Sequence, residues 1–584
     1  MELPARRNPG SFRPFSSLPD PLPADRLSLA QCLCLRARPS GQSCGRLDTD
    51  SKMTEPELLN QAISDAYDET PYLSNALLQT APGHLRAVAR LYGLDSAPLA
   101  GARVLELGCA AGGNLIPFAV AHPNAQVIGI DLSPEQVNAG REVVEKLGLR
   151  NLDLRALSIT DIDDSLGQFD YIICHGVFSW VPPVVREAIL RVCRDNLAPE
   201  GIAFISYNVY PGWKASDILR DAMQLNSFSA TTPAEKLKKA KEMLGLLQHG
   251  LSTNNLMREA ISKAAHTLSQ QPDHYLFHEY LEMINSPCYF LEFAASIQQA
   301  GLAYVSDVQP EGSFPSNYGE ATANALAAMS GDADRVMREQ YLDFAVGRPF
   351  RQSLLVHAER ADQILERPEA SHFSSMLFSA QLRPDAERDR AQPGRRHFRT
   401  PGNAGLATQD PSLVALIEVL QEHWPAPIGF EQAQRTVASR SPHTGDALEH
   451  ATLLHLITLF NCGGLRYRCE PIGYGNDSTK LRLIPGAREL ITASSEKALQ
   501  VGLYNLWHQH VNLSIDPATR YVVTLLDGSR TQAEMRTQLR DALTAGHIPH
   551  PDGRALKGAR NADPIAQELL VRILNTLRSG GMLL

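Results

Sequence analysis

The chain has 584 residues, of which 43% are hydrophobic and 20% charged, with a formal net charge of -9. Such a length exceeds one core and implies roughly three to four compact units, and the ordinary composition excludes global disorder. The acidic balance leaves no nucleic-acid footprint, because a phosphate-binding surface carries a basic excess or a basic stripe.

Nine cysteines are scattered along the chain. Neither Cys32 with Cys34 nor Cys462 with Cys469 makes a metal-ligand spacing, so no metal site is expected and the thiols read as those of a cytoplasmic protein. No apolar run reaches the roughly 18 residues that span a bilayer. Arg6, Arg7 and Arg13 precede the short apolar LSLAQCLCL, but that run lies among prolines without a clear cleavage site, so neither a secretory signal nor membrane insertion is expected.

Residues 1–52 read as a Pro- and Arg-rich extension. MTEPELLNQ follows with Thr54 as a helix cap and Glu55 and Glu57 in the first turn, which makes Met53 the expected working start. Residues 53–213 are helical to about Leu94, with a break at YDETPY, and then alternate: VLELG, a helix, AQVIGIDL, a helix, LDLRALSI, FDYIICHG, a helix and GIAFISYNV. Short apolar strands separated by helices predict an α/β, Rossmann-like, doubly wound parallel sheet with right-handed crossovers. Residues 214–380 read as a mostly helical domain, through AEKLKKAKEMLGLLQ and LMREAISKAAHTL, and 381–405 as a flexible linker of charges, prolines and glycines. Over 406–584, helix pairs followed by short hairpin-like strands suggest a winged-helix-like module.

The strand VLELG runs into Cys109-Ala110-Ala111-Gly112-Gly113, small residues that let a ligand approach the backbone at a helix N-terminus. A triphosphate loop needs Gly-Lys-Ser or Gly-Lys-Thr, and Asn114 follows Gly113 instead. Gly108, Ala110 and Gly113 nearly match the dinucleotide spacing, but the middle glycine is Ala110. Glu106 at the strand end repels a pyrophosphate and can anchor the cationic amino-acid end of S-adenosyl-L-methionine, while Asp131 closes the second strand where a carboxylate meets ribose hydroxyls. Asp131 alone fits either ligand.

ELGCAAGGN with IGID resembles the first two motifs of class I S-adenosylmethionine-dependent methyltransferases. FDYIICHGVFSWVP and GIAFISYNVYPGW are similar to a bacterial subgroup carrying a methyltransferase regulatory domain, as are YDETPY, HEYLEMINSPCYFLEF and RPFRQSLLVHAE. The likeness runs from about Met53 to Glu359, and more loosely through VNLSIDPATRYVVTLLDGSRT. That subgroup includes protein-lysine methyltransferases of outer-membrane proteins, so the resemblance implies S-adenosyl-L-methionine as cofactor and a lysine side chain of a protein as acceptor. The expected cofactor-binding positions are Glu106, Gly108, Ala110, Gly112, Asn114, Asp131, Leu132, Ser158, Ile159 and His175. Many class I enzymes place an acid after the third strand for the adenine amino group; Ser158 stands there, with Asp161 as a substitute.

Methyl transfer needs alignment of donor and acceptor, and a lysine acceptor must arrive unprotonated. ICHGVFSWVP lies at a strand's carboxyl end, where doubly wound sheets bind ligands. His175, Trp180 and Tyr207 are the candidate catalytic residues: His175 beside Gly176 as a base, Phe178 and Trp180 as a wall excluding water, and Tyr207 with Asn208 facing the same crevice. Tyr67 and Tyr72 would cap it. His278-Glu279 lacks a second histidine four residues on and reads as helix structure, and Arg348 and Arg351 as partners of carboxylates between domains. A small-molecule methyltransferase and a cofactor-binding regulatory protein without turnover stay open as alternatives.

Overall fold

A computed structural model describes residues 74–331, 333–471, 480–495, 498–549 and 559–584. The N-terminal extension, the Met53 start and the capping tyrosines Tyr67 and Tyr72 lie outside the described residues. Of the described residues, Asp217–Leu281 form one compact unit, and 74–216 with 282–584 form the other.

The larger unit is built on a sheet whose strands follow in the order β3-β2-β1-β4-β5-β7-β6. In chain order the elements are α1 (Pro82–Leu91), β1 (Arg103–Leu107), α2 (Ile116–Ala121), β2 (Gln126–Asp131), α3 (Pro134–Lys146), β3 (Leu152–Ala156), β4 (Phe169–Cys174), α4 (Pro183–Asp195) and β5 (Leu197–Asn208). These strands are near-continuous apolar runs because helices cover both faces of the sheet. β1 pairs in parallel with β2 on one side and β4 on the other. The chain order therefore reverses at β1, and ligands of such sheets bind beyond the carboxyl ends of the strands at that point. Ser133 starts α3 by accepting a hydrogen bond from the Gln136 amide at 3.1 Å, with Pro134 at its first position.

Two strands of this sheet come from the segment read as helical. After α5 (Trp213–Ser227), α6 (Pro233–His249), α7 (Arg258–Ser269), α8 (Asp273–Tyr280) and α9 (Phe290–Gln299), the chain forms β6 (Leu302–Asp307), α10 (Glu320–Ser330), α11 (Arg335–Val346) and β7 (Phe350–His357). β7 runs antiparallel to both β5 and β6, so the sheet is mixed rather than all parallel. Arg351 on β7 is 1% exposed and binds Asp343, Glu339 and Asp307 at 2.8–2.9 Å, while Arg348 binds Asp343 at 2.7 Å. Both arginines thus pair with carboxylates, but with carboxylates of the same 214–380 segment rather than across domains as expected.

Within the smaller unit, α6 and α7 pack against each other, α6 burying Ala240, Leu244 and Leu247 and α7 burying Ile261, Ala265 and Leu268. His278 and Glu279 lie on α8, and the imidazole is buried.

The segment expected to be a flexible linker, 381–405, is folded. After β8 (Leu377–Ala380), the strands β9 (Arg383–Pro384), β10 (Arg396–Arg399) and β11 (Gly405–Thr408) form an antiparallel sheet with α12 (Ala386–Ala391) between the first two. Its polar composition hid four buried side chains, Leu382, His397, Phe398 and Thr400. Then follow α13 (Pro411–His423), β12 (Ile428–Gly429), α14 (Phe430–Ala438), α15 (Gly445–Asn461), β13 (Leu465–Arg468), α16 (Ala487–Ala493), the hairpin β14 (Gln500–Tyr504) and β15 (His510–Ser514), α17 (Pro517–Leu525), α18 (Gln532–Ala545) and α19 (Ala559–Ser579). One continuous apolar core joins residues of this module, among them Leu503, Leu513 and Leu577, to Leu85 of α1 and to Val104 and Phe204 of the first sheet.

Candidate functional site

The turn after β1 needs its glycines for contacts of the protein with itself. Gly108 has φ +77°, and a Cβ there would lie 2.4 Å from Val177 Cγ2, at the end of β4. A Cβ on Gly113 would meet the Ser74 carbonyl oxygen at 2.2 Å. Ser74 seals the turn, its hydroxyl accepting from the Gly113 amide at 2.7 Å and donating to the Cys109 carbonyl at 3.4 Å. Ala110 takes φ +48°, a region that L residues occupy at a cost. Gly112 is buried, also left-handed at φ +73°, against Leu154.

Asp131 answers that cost. One of its carboxylate oxygens accepts from the Ala110 amide at 2.7 Å, the other from Ser133 at 2.9 Å. The carboxylate therefore fixes the turn as well as standing at the end of β2. Leu132 beside it is half-buried. Ser158, at the end of β3, caps a short 3-10 turn through Thr160, and its hydroxyl lies 2.7 Å from Thr160 Oγ1. Ile159 is half-buried, and Asp161 is exposed and accepts from Thr160 Oγ1 at 3.1 Å.

Glu106 is 4% exposed, and its Oε1 accepts from Asn114 Nδ2 at 2.8 Å. Its Oε2 is buried with no hydrogen-bond partner among the described residues. Burial first, and the Asp131 charge second, push the carboxyl up to about 7 against the lowering effect of Asn114. A buried carboxylate oxygen left without a donor is the feature that an ammonium group completes. The residues present thus fit the methyl donor inferred from the sequence. Asn114 Oδ1 in turn accepts from Leu77 N at 3.1 Å and meets His508 Nε2 at 3.0 Å, and it lies 3.0 Å from Thr80 Oγ1, whose single proton is shared with the Leu77 carbonyl at 2.9 Å.

At the carboxyl end of β4, His175 Nδ1 lies 3.1 Å from Ser206 Oγ, which also accepts from the Gly176 amide at 2.8 Å. Burial depresses the imidazole to about 4, so it is neutral near pH 7 and a weak base for an amine. That counts against the basic role expected of His175. Tyr207 does not face the crevice: it is 1% exposed, its hydroxyl is 2.9 Å from Ser353 Oγ, and its ring stacks on Phe293 at 3.8 Å. Alternation along β5 sends Ser206 to the His175 side and Tyr207 to the opposite one. Asn208 is buried and spends its amide on Asn285 at 3.0 Å. Phe178 packs in the core against Phe293, whereas Trp180 is half-buried and meets Trp213 edge-on at 6.3 Å.

An aromatic cluster that the sequence reading passed over follows β5. Tyr210 lies 5.5 Å from Tyr289, which stacks at 5.7 Å on the exposed Phe344, and Phe350 presents its edge to His175 at 6.2 Å. The exposed Lys214 carries its ammonium 3.5 Å from the centre of the Tyr210 ring and 5.9 Å from that of Tyr289. Ser74 and His508 were likewise unmarked by any local motif.

Three family profiles match the chain: a methyltransferase domain over residues 104–201, a predicted methyltransferase regulatory domain over 272–357 and the C-terminal winged helix domain of PKMT over 485–582. The uncharacterized protein RP789 of Rickettsia prowazekii is 35% identical over 422 residues, 70% of this chain and 76% of that one. The uncharacterized protein RP028 of the same organism is 40% identical over 239 residues, 40% of this chain and 94% of that one. The solved structure of PKMT2 from Rickettsia typhi in complex with AdoHcy superposes with a TM-score of 0.75 at 28% identity, covering 88% of this chain and 100% of that one. The chain belongs to the class I S-adenosylmethionine-dependent methyltransferases that carry a regulatory domain and a PKMT-type winged helix.

Proposed function

We propose that this methyltransferase transfers methyl groups to lysine side chains of a protein, from a cytoplasmic location where the methyl donor is made. The observation that carries the reading is Lys214, whose ammonium rests on the face of Tyr210 in the aromatic cluster beyond β5. Surfaces of this kind attract ammonium groups through the ring quadrupole, and this one stands at the strand ends where an acceptor of a doubly wound sheet is expected. The likeness to PKMT2 and the PKMT-type winged helix point the same way.

S-adenosylmethionine supplies, when bound, a methyl group activated for in-line displacement. Glu106 Oε2 would accept from its ammonium group, Asp131 from its ribose, and Leu132, Ser158 and Ile159 would border its base. Gly108, Ala110 and Gly112 would give the backbone its close approach, with Asn114 holding Glu106 in place. On the acceptor side, Trp180 and Tyr210 exclude water and hold the lysine stem and amine. Desolvation there favours the neutral amine. The proton leaves to solvent rather than to His175, whose depressed basicity suits a hydrogen-bonding role beside Ser206.

Incubation with isotopically labelled S-adenosylmethionine and a set of purified bacterial surface proteins, followed by peptide mass spectrometry, tests the reading. Label on lysine ε-amines is the expected result. Label confined to small molecules, with no protein modified, would overturn it in favour of a small-molecule methyltransferase.

A further inference from the structure

The tip of the C-terminal hairpin reaches the cofactor site of the first sheet. The five residues between β14 and β15 form a tight, internally bonded turn. Asn505 Oδ1 accepts from the amides of Trp507 at 2.9 Å and Gln509 at 3.0 Å, and the His508 amide donates to the Asn505 carbonyl at 3.0 Å. Trp507 anchors the turn within its own module, its indole donating to the Pro425 carbonyl at 2.9 Å and its ring stacking with Trp424 at 6.4 Å. His508, at φ +56°, is thereby projected out of the turn, with Nε2 3.0 Å from Asn114 Oδ1 across 394 residues of sequence.

The direction of this chain of bonds follows from one unambiguous donor. The Leu77 amide can only donate, so the atom of Asn114 that faces it is the carbonyl oxygen, and the amide nitrogen faces Glu106. His508 Nε2 meets the same oxygen and must carry the proton. Burial depresses its imidazole to about 4, which keeps the ring neutral and suited to a single directed bond. Donors converging on Oδ1 polarise the Asn114 amide and strengthen its bond to Glu106.

We infer that His508 is a positioning residue of the cofactor site, through which docking of the winged-helix module sets the orientation of Glu106 and hence the affinity for the methyl donor. The inference rests on the assignment of Glu106 to the donor's ammonium group. A module at the far end of the chain thus controls cofactor binding, and its role is not confined to the methyl acceptor.

Calorimetric titration of the full chain with S-adenosylhomocysteine tests this without turnover. His508→Phe keeps the ring and removes the donor, and should weaken binding about tenfold. His508→Gln returns a donor at similar reach and should restore affinity to within about threefold of the parent. A purely architectural role would not respond to that return while melting temperatures stay equal. Because His508 acts through Asn114, His508→Phe combined with Asn114→Ala should be no weaker than Asn114→Ala alone. Unchanged affinity in folded His508→Phe, or additive losses in the double variant, would overturn the inference. Failure of the parent chain itself to bind would instead count against the cofactor assignment. Should His508→Phe not fold, His508→Ala in comparison with His508→Gln at equal melting temperatures decides the matter: a loss in His508→Ala that His508→Gln restores supports the inference, and equal affinity in the two overturns it.

Discussion

Asp131 and Ala110 are tied by a hydrogen bond of 2.7 Å from the alanine amide to the carboxylate, and Ala110 holds φ +48°. The side chain expected to bind ribose therefore also supports the turn proposed to meet the cofactor. Asp131→Ala should weaken S-adenosylmethionine binding by about 1.5–3 kcal/mol, as charge-assisted bonds are lost, and lower the melting temperature of the cofactor-free protein as well. Asp131→Asn keeps one acceptor oxygen and should lose less of both. Calorimetry beside thermal unfolding separates the two effects, and unaltered affinity in folded Asp131→Ala would sink the ribose assignment.

Glu106 gives cofactor binding a pH dependence whose sign is fixed by its environment. Burial holds the carboxyl at about 7 in the free protein, whereas an ammonium partner favours the carboxylate. Affinity should be full above about pH 7 and fall by about tenfold per unit below it, since a proton must be lost on binding. Linkage to folding has the matching sign. A raised carboxyl costs the free protein stability as pH climbs from the ordinary value of 4.5 towards about 7, so stabilisation by the cofactor should be larger at pH 8 than at pH 6. Glu106→Gln should bind more weakly at pH 8 and show a flat profile. A flat profile in the parent chain would exclude Glu106 as the anchor.

Local signals carried the reading of β1 to β5 and of Glu106 and Asp131, because strand, small-residue turn and helix follow each other within a few tens of residues. β6 and β7 were illegible because LAYVSD and RQSLLVH are short runs embedded in helical sequence, and pairing with β5 rather than local propensity makes them strands. Tyr207 was misplaced by a single step of alternation, since one residue decides which face of β5 a side chain takes. In 381–405 the charges mark the exposed face of a sheet whose inner side is held by a few side chains such as Phe398. His508 carries no motif. Its role exists only through the packing of two distant modules.

Two glycines with left-handed backbones separate steric clash from backbone strain. At Gly176, φ is +68° and nothing lies within 4 Å of an added Cβ, so Gly176→Ala should cost about 1–2 kcal/mol of stability from conformation alone. At Gly108, φ is +77° and Val177 Cγ2 lies 2.4 Å away, between two strand ends that the cofactor site needs in register. Gly108→Ala should destabilise more and also weaken cofactor binding. Gly108→Ala combined with Val177→Ala, which clears the space, should recover part of the loss. Denaturant unfolding of the three variants beside the parent checks the ranking, and equal costs at both glycines would mean that the contact with Val177 is readily relieved.

Tyr210 is the residue on which acceptor recognition should turn, and Lys214 supplies an internal control. The ring holds the Lys214 ammonium at 3.5 Å, an attraction of about 0.5–2 kcal/mol depending on desolvation. A substrate lysine using that face must compete with it. Tyr210→Ala should therefore lower kcat/KM for a protein acceptor about tenfold, while Tyr210→Phe, which keeps the ring, should stay within about twofold of the parent. Lys214→Gln should act in the opposite sense, lowering KM for the acceptor by freeing the ring. None of the three changes touches Glu106 or Asp131, so the dissociation constant for S-adenosylhomocysteine should stay constant across the set. Steady-state kinetics with a lysine-bearing peptide and calorimetry with the product, run in parallel, make the comparison. If Tyr210→Ala methylates the peptide as efficiently as the parent, the ring lies off the acceptor's path and Lys214 is merely a surface cation resting on it.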